Sequence, residues 1–482
     1  MKSKMGLLQN TVKNGTAWTI GGYALSQLMR LIGNVIIARL LFQEAFALMA
    51  IVGAIIQGLT MFSDLGLGAS IIQNKRGNNK DFLNTAWTLQ VLRGILLATI
   101  ATGLAWPLAN FYAVNDPSAH QLRWLIPIVA IATLFEGTVS TKIQSAVKHL
   151  DLGRLTIFDL SCQLFGILVM IGLAWWTRSV YAMAWSAVAA ALLRSTLSHL
   201  LLRGERNSFH WDPSSVREII HFGKWIFVST IISFGASQVD KLVLARLFPL
   251  QDIGVYGIAA SLAILTSVLL GSLQLRIALP LYARTLAQKE PLPEILSDTK
   301  IWLLALGSYL VALSVGCAGT FIALAYDSRY SAAGVYIPIL AIGSWFTTIE
   351  GIYGAAFLAF GRARWVAMAN GAKIISFCCI LSPAINQWGL VGAVVAAAVS
   401  DALKLPVTIA FARRIGLRDQ TTEVWFSIYC ATIGLIIFLC SNVILILSYN
   451  NHLIALIIKF TLITLAYTPV FFLVKRRSHR FL

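Results

Sequence analysis

The sequence predicts an all-α polytopic membrane protein built as two parallel-repeat six-helix lobes followed by two further helices. Three observations predict it. Of 482 residues, 58% are hydrophobic and only 12% charged, with a mean hydropathy of +0.76, whereas a soluble domain is about one-quarter charged. Apolar runs of roughly 20 residues recur from end to end without the period-two alternation of barrel strands, so helices must satisfy the backbone in lipid. An imperfect copy of the first long run also begins 207 residues downstream, where Trp18 falls on Trp225, Ser26 on Ser233 and Ala38-Arg39-Leu40 on Ala245-Arg246-Leu247.

Fourteen spans are expected, near 17–41, 45–72, 83–108, 122–146, 156–176, 179–202, 222–247, 251–276, 299–325, 334–360, 365–386, 388–412, 423–447 and 453–474. Residues 1–16 mix lysines with apolar residues and suit an interfacial helix. The first apolar run is too long for the core of a cleavable signal and lacks a small-residue cleavage site, so it is expected to stay as span 1. With the N-terminus inside, the inner segments and adjoining span ends hold 25 of the 38 Lys and Arg residues. The outer segments hold only Arg39, Arg123, Arg178, Arg246 and Arg329. The positive-inside rule then places both termini of a multi-pass membrane protein in the cytoplasm. A net charge of +18 is explained by that topology and calls for no nucleic-acid partner.

The repeat continues into later spans. Ile126-Pro127-Ile128 matches Ile337-Pro338-Ile339, and Gly153-Arg154 matches Gly361-Arg362. Six spans separate the copies, an even number, so both halves enter the membrane the same way and the repeat is parallel. The domain division that follows is 1–220 for the first lobe, 221–415 for the second and 416–482 for the last two spans with a basic tail. Residues 203–221 are the polar connection between lobes.

Catalytic and metal signals are absent. All six cysteines lie in apolar spans without zinc-ligand spacing, no HExxH occurs, and no GxxxxGK[ST] loop is present, so no metal, no cofactor and no ATP-driven step is expected. Short outer loops disfavour a membrane polymerase or ligase of glycans.

Ionisable residues inside spans carry the functional argument, because a charge at mid-bilayer costs roughly 3 kcal/mol or more. Arg30 sits mid-way along span 1, with Tyr23, Gln27 and Asn34 on the same helical face. Gln57 and Asp64 share a face of span 2, while Ser233, Ser237, Asp240 and Lys241 make a second stripe on span 7. These residues are the candidates for lining a hydrated cavity, with an internal salt bridge as the alternative. Fixed cations at Arg30 and Lys241 would favour an anionic substrate. Asp64, Glu136, Asp240, Glu350 and Asp401 are candidates for binding a coupling proton or sodium. Asp159, Arg194, Arg276, Lys373 and Lys459 lie near span ends, where snorkelling to the interface would suffice.

One stretch carries a resemblance. Phe62-Ser63-Asp64-Leu65-Gly66-Leu67-Gly68-Ala69-Ser70 through Lys75 resembles the end of span 2 in bacterial polysaccharide exporters of the Wzx-type polysaccharide transport family, closest to the colanic-acid-exporter branch. Asp240-Lys241-Leu242 to Arg246, Gly254-Val255-Tyr256, Gly361-Arg362 and Trp388-Gly389-Leu390 are also similar. Ala47 stands where the family pattern usually has Gly. The resemblance implies a V-shaped member of the multidrug/oligosaccharidyl-lipid/polysaccharide (MOP) superfamily, working by alternating access. Its expected substrate is an undecaprenyl-pyrophosphate-linked oligosaccharide repeat unit, with Arg30 and Lys241 meeting the pyrophosphate and Tyr23, Gln27, Asn34 and Gln57 the sugar hydroxyls. Expected partners are the lipid bilayer, that glycan, and the polysaccharide polymerase and glycosyltransferases of the same biosynthesis. A multidrug or cation antiporter of the superfamily is the alternative.

Overall fold

A computed structural model describes residues 2–63, 67–74, 76–149, 151–288, 292–417 and 419–478. Backbone packing divides the chain into two compact units, Met1–Phe234 with Ala245–Gln251, and Gly235–Leu244 with Asp252–Leu482. The division falls inside one long helix rather than in the polar connection. Among the described residues, ten helices are long and apolar enough to cross a membrane.

The first unit contains α1 (Lys2–Leu40), α2 (Gln43–Phe62), α3 (Leu67–Gln73), α4 (Lys80–Tyr112), α5 (Leu122–Gly137), α6 (Lys142–Lys148), α7 (Leu152–Thr177) and α8 (Tyr181–Leu200), together with both ends of α9 (Pro213–Leu247). Small residues let these helices approach closely where no hydrophobic effect separates helix from lipid. Gly94 of α4 meets Gly137 of α5 so tightly that a Cβ on either would lie 3.0 Å from the other's Cα. On α9, Phe234 packs edge-on against Phe62 of α2, with ring centroids 5.0 Å apart.

The polar connection is fastened to this unit. Ser140 Oγ donates to Asn207 Oδ1 at 2.5 Å, Asn84 Nδ2 donates to Ser208 Oγ at 2.9 Å, and the His210 amide donates to Thr88 Oγ1 at 3.0 Å. Arg76 closes the run, with Nη2 3.1 Å from Asp212 and Nη1 3.2 Å from Glu218. Hydrogen bonds from the Ser214 and Ser215 hydroxyls, with Arg76 beside them, hold the Asp212 carboxyl well below the usual carboxylate range. A depressed native pKa stabilises above the unfolded value of about 3.9 and is lost as pH falls through the native one. Asp212→Asn should therefore lower the melting temperature of the detergent-solubilised protein at pH 7, with the gap to wild type closing progressively below about pH 4.

The second unit contains α10 (Leu250–Ala263), α11 (Leu265–Leu273), α12 (Leu279–Ala287), α13 (Leu292–Ala325), α14 (Ala333–Ala359), α15 (Ala363–Arg414), α16 (Thr421–Leu439), α17 (Ser441–Leu447) and α18 (His452–Ser478). A wide π-turn, Gln274–Ala278, links α11 to α12. The expected spans 365–386 and 388–412 form the single element α15, broken at Gly389, where φ 56° and ψ −134° reverse the chain. Only glycine takes that conformation without strain. The reversal is so tight that a Cβ on Gly392 would lie 1.9 Å from the Ala384 carbonyl oxygen.

The last helices belong to this unit's core, where Phe426, Cys430, Ile463 and Tyr467 pack with Tyr353, Trp345 and Phe357. Lys300 and Lys459 are sealed inside it. Lys300 donates to Glu423 at 3.0 Å and to the Asp419 carbonyl at 3.1 Å, and Tyr353 Oη donates to the other oxygen of Glu423. Lys459, expected to snorkel, is 1% exposed and donates to Thr320 Oγ1 and Ser441 Oγ at 2.5 and 2.8 Å. Hydroxyls from two neighbouring helices reach it, so its charge has no need to travel to the interface.

Candidate functional site

Each unit presents its own polar face. In the first, α1 packs on α7 through Ser26, whose Oγ donates to Gln163 Oε1 at 2.5 Å while Gln163 Nε2 donates to the Ser26 carbonyl at 2.7 Å. Leu25, Leu28 and Ile32 are exposed on one side of α1. At about 100° per residue, Tyr23, Gln27, Arg30 and Asn34 fall on roughly the opposite side. Arg30 is exposed there, and the other three are half-buried. Among the described residues, the Tyr23 hydroxyl and Gln27 Oε1 are buried without a hydrogen-bond partner. An exposed apolar side suits acyl chains; an exposed arginine does not, since a charge in hydrocarbon costs roughly 3 kcal/mol or more.

On α2, Gln57 is exposed and contacts Met61 Sδ at 3.7 Å. Arg93 of α4 reaches the end of α2, donating from Nε to Ser63 Oγ at 2.9 Å and from Nη2 to the Thr60 carbonyl at 2.6 Å. A cation there caps the negative end of the helix dipole. Asp64 lies outside the described residues. Glu136 is joined by two groups assigned to the interface on sequence grounds, since Arg194 lies 3.2 Å from Asp159 and 3.9 Å from Glu136.

In the second unit, Asp240 accepts a hydrogen bond from Tyr256, and Lys241 beside it is half-buried. Ser237 is exposed, while Ser233, one turn earlier on α9, is half-buried in the first unit. Asp401 is 2.7 Å from Lys373, and Glu350 is 3.0 Å from Lys404. Asp240 and Glu350 also act electrostatically on Lys373. The structure thus gathers three of the coupling candidates, Asp240, Glu350 and Asp401, around two lysines. Lys373 does not snorkel; it bridges to an acid on the second half of its own kinked element. The i,i+3 spacing of Asp401 and Lys404 puts both on one face of α15, a signal in the sequence that could have pointed to this cluster.

Among the described residues, no group of His, Cys, Asp and Glu could hold a metal ion. One side of α1 offers a cation, two amides and a phenol, and the second lobe holds paired lysines and acids.

The fold is shared with MOP-type membrane transporters. It superposes on the lipid II flippase MurJ in an inward closed conformation with a TM-score of 0.70 and 12% identity, covering 96% of this chain and 99% of that one. A multidrug resistance MATE family transporter of the MOP superfamily, inward-facing, gives 0.62 and 11%, covering 82% and 96%. The family described as Polysaccharide biosynthesis protein matches residues 36–335, and the chain belongs to that family. The lipopolysaccharide biosynthesis protein WzxC of Escherichia coli (strain K12) is 22% identical over 281 residues, 58% of this chain and 56% of WzxC. A putative O-antigen transporter of Shigella flexneri is 21% identical over 408 residues, 81% of this chain and 94% of that protein. The match to WzxC thus spans little more than half of that relative's length.

Proposed function

We propose that the protein is a flippase. It moves undecaprenyl-pyrophosphate-linked oligosaccharide repeat units from the cytoplasmic to the periplasmic leaflet of the bacterial inner membrane, by alternating access, during exopolysaccharide, capsule or O-antigen biosynthesis. Its role is transport rather than catalysis, and both termini lie in the cytoplasm. The observation that carries this reading is Arg30, exposed on α1 within the span expected at 17–41, on the side away from the helix's exposed apolar residues. A fixed guanidinium there suits the pyrophosphate, which it can bind in bidentate fashion, and Lys241 is the second candidate cation. Tyr23, Gln27, Asn34, Gln57, Ser233 and Ser237 offer amides and hydroxyls to sugars, and the lipid tail stays in the bilayer. The names of WzxC and the O-antigen transporter agree with such a cargo.

The superfamily's cation antiporters are the second reading, supported by the MATE likeness. Against it, Glu350 and Asp401 each carry a lysine within salt-bridge distance, so neither is an open cation ligand. Asp240, hydrogen-bonded by a neutral phenol, is the acid we retain for ion coupling.

The test is reconstitution in liposomes with a lipid-linked oligosaccharide and, separately, a cationic dye. Glycan translocation without dye efflux is expected, and dye efflux without glycan translocation would overturn the reading.

A further inference from the structure

The same three helices of the repeat carry a charge cluster in each lobe, and the two clusters differ in openness. In the second lobe, Glu350 on α14 and Lys373, Asp401 and Lys404 on the two halves of α15 have side chains 6–20% exposed. In the first lobe, Glu136 on α5, Asp159 on α7 and Arg194 on α8 have side chains 52%, 45% and 34% exposed. A sealed, paired cluster is what a structural lock requires. A half-open one holds a lobe together poorly, because water weakens exposed ion pairs, and its charges cannot face acyl chains. The first lobe's cluster is therefore the more open of the two, with Glu136 exposed and Asp159 Oδ1 buried without a hydrogen-bond partner.

Its chemistry selects the ligand. Two carboxylates and one guanidinium sum to a negative charge, which repels a phosphate. Arg194 Nη2 contacts Asp159 at 3.2 Å, but its Nε stands 3.9 Å from Glu136, beyond hydrogen-bond range. A guanidinium has five N–H donors and each carboxylate about four acceptor positions, so most are uncommitted. Hydroxyls, which donate and accept at once, match that set. Phe158 lies under the guanidinium, 5.8 Å from its ring centroid, and steadies its plane.

The α1–α7 contact links the cluster's helix to the helix that carries Arg30. Asp159 is one turn from Gln163 on α7, Gln163 is bonded to Ser26 on α1, and Arg30 is one turn beyond Ser26. Two four-residue steps put the cluster about 12 Å along the helix axes from Arg30, as a sugar extending from a pyrophosphate would need. We propose that Glu136, Asp159 and Arg194 form a subsite for the hydroxyls of a sugar residue in the lipid-linked glycan. This rests on the exporter reading.

The test measures binding of two probes by the purified, full-length protein. One is bare undecaprenyl pyrophosphate; the other is the lipid-linked oligosaccharide extracted from cells of the source strain lacking this gene. The isosteric variants Glu136→Gln and Asp159→Asn should weaken binding of the oligosaccharide-bearing lipid about tenfold and leave the bare lipid unchanged. Arg30→Ala should weaken both. Arg194→Lys, which keeps the charge but loses the fork, should follow the acid variants and serves where an acid variant fails to fold. Equal losses for both probes, or no loss for either, would overturn the subsite while leaving the exporter reading intact. Wild-type protein that binds neither probe would remove both.

Discussion

Replacing Arg30 and Lys241 together by alanine should abolish glycan export while leaving the protein in the membrane. Each cation is expected to make a charge-assisted hydrogen bond to the pyrophosphate worth about 1.5–3 kcal/mol. Each loss alone should then weaken binding roughly tenfold to a hundredfold, and the two losses should not add fully, because the cations share one ligand. Stability should change far less, because Arg30 is exposed and surface substitutions away from packed features shift stability by about 0.5 kcal/mol or less. Complementation of a deletion strain measures the effect, with surface polysaccharide and the amount of protein in the membrane fraction scored together. Arg30→Lys should retain part of the activity, since it keeps the charge and loses only the bidentate geometry. Full export by the double variant would remove the pyrophosphate assignment.

The stripe that motivates this prediction was legible before any coordinates because helix periodicity is a one-dimensional property. Tyr23, Gln27, Arg30 and Asn34 share a face wherever the helix begins. The partners of a buried charge are not periodic. Lys373 and Asp401 are 28 positions apart on two arms of one element, joined by a reversal that depends on a single positive φ at Gly389. Lys459 looked like an interfacial lysine because its hydroxyl partners, Thr320 and Ser441, lie 139 and 18 residues away. Distance from a span end set the expectation, whereas neighbouring helices set the outcome. The same applies to Arg194 and Asp159, whose pairing needed α7 and α8 side by side.

Breaking one ion pair of the second lobe should cost far more than removing it whole. Lys300 and Glu423 are 3.0 Å apart with side chains 3% and 6% exposed, and Tyr353 and the Asp419 carbonyl complete their hydrogen bonds. Lys300→Met leaves Glu423 buried and uncompensated, which destabilises by about 3–5 kcal/mol. In Lys300→Met with Glu423→Gln the residual charge is gone, and the glutamine still accepts from Tyr353. Much of the loss should therefore return, because the desolvation of two charges nearly offsets their attraction. Denaturation of the detergent-solubilised protein by a graded denaturant series measures both variants against wild type. The pair anchors α16, which carries Glu423, to α13, which carries Lys300, so the single variant should also loosen α16 in hydrogen exchange. A double variant as unstable as the single one would show that the pair holds these helices together by its attraction rather than merely by mutual neutralisation.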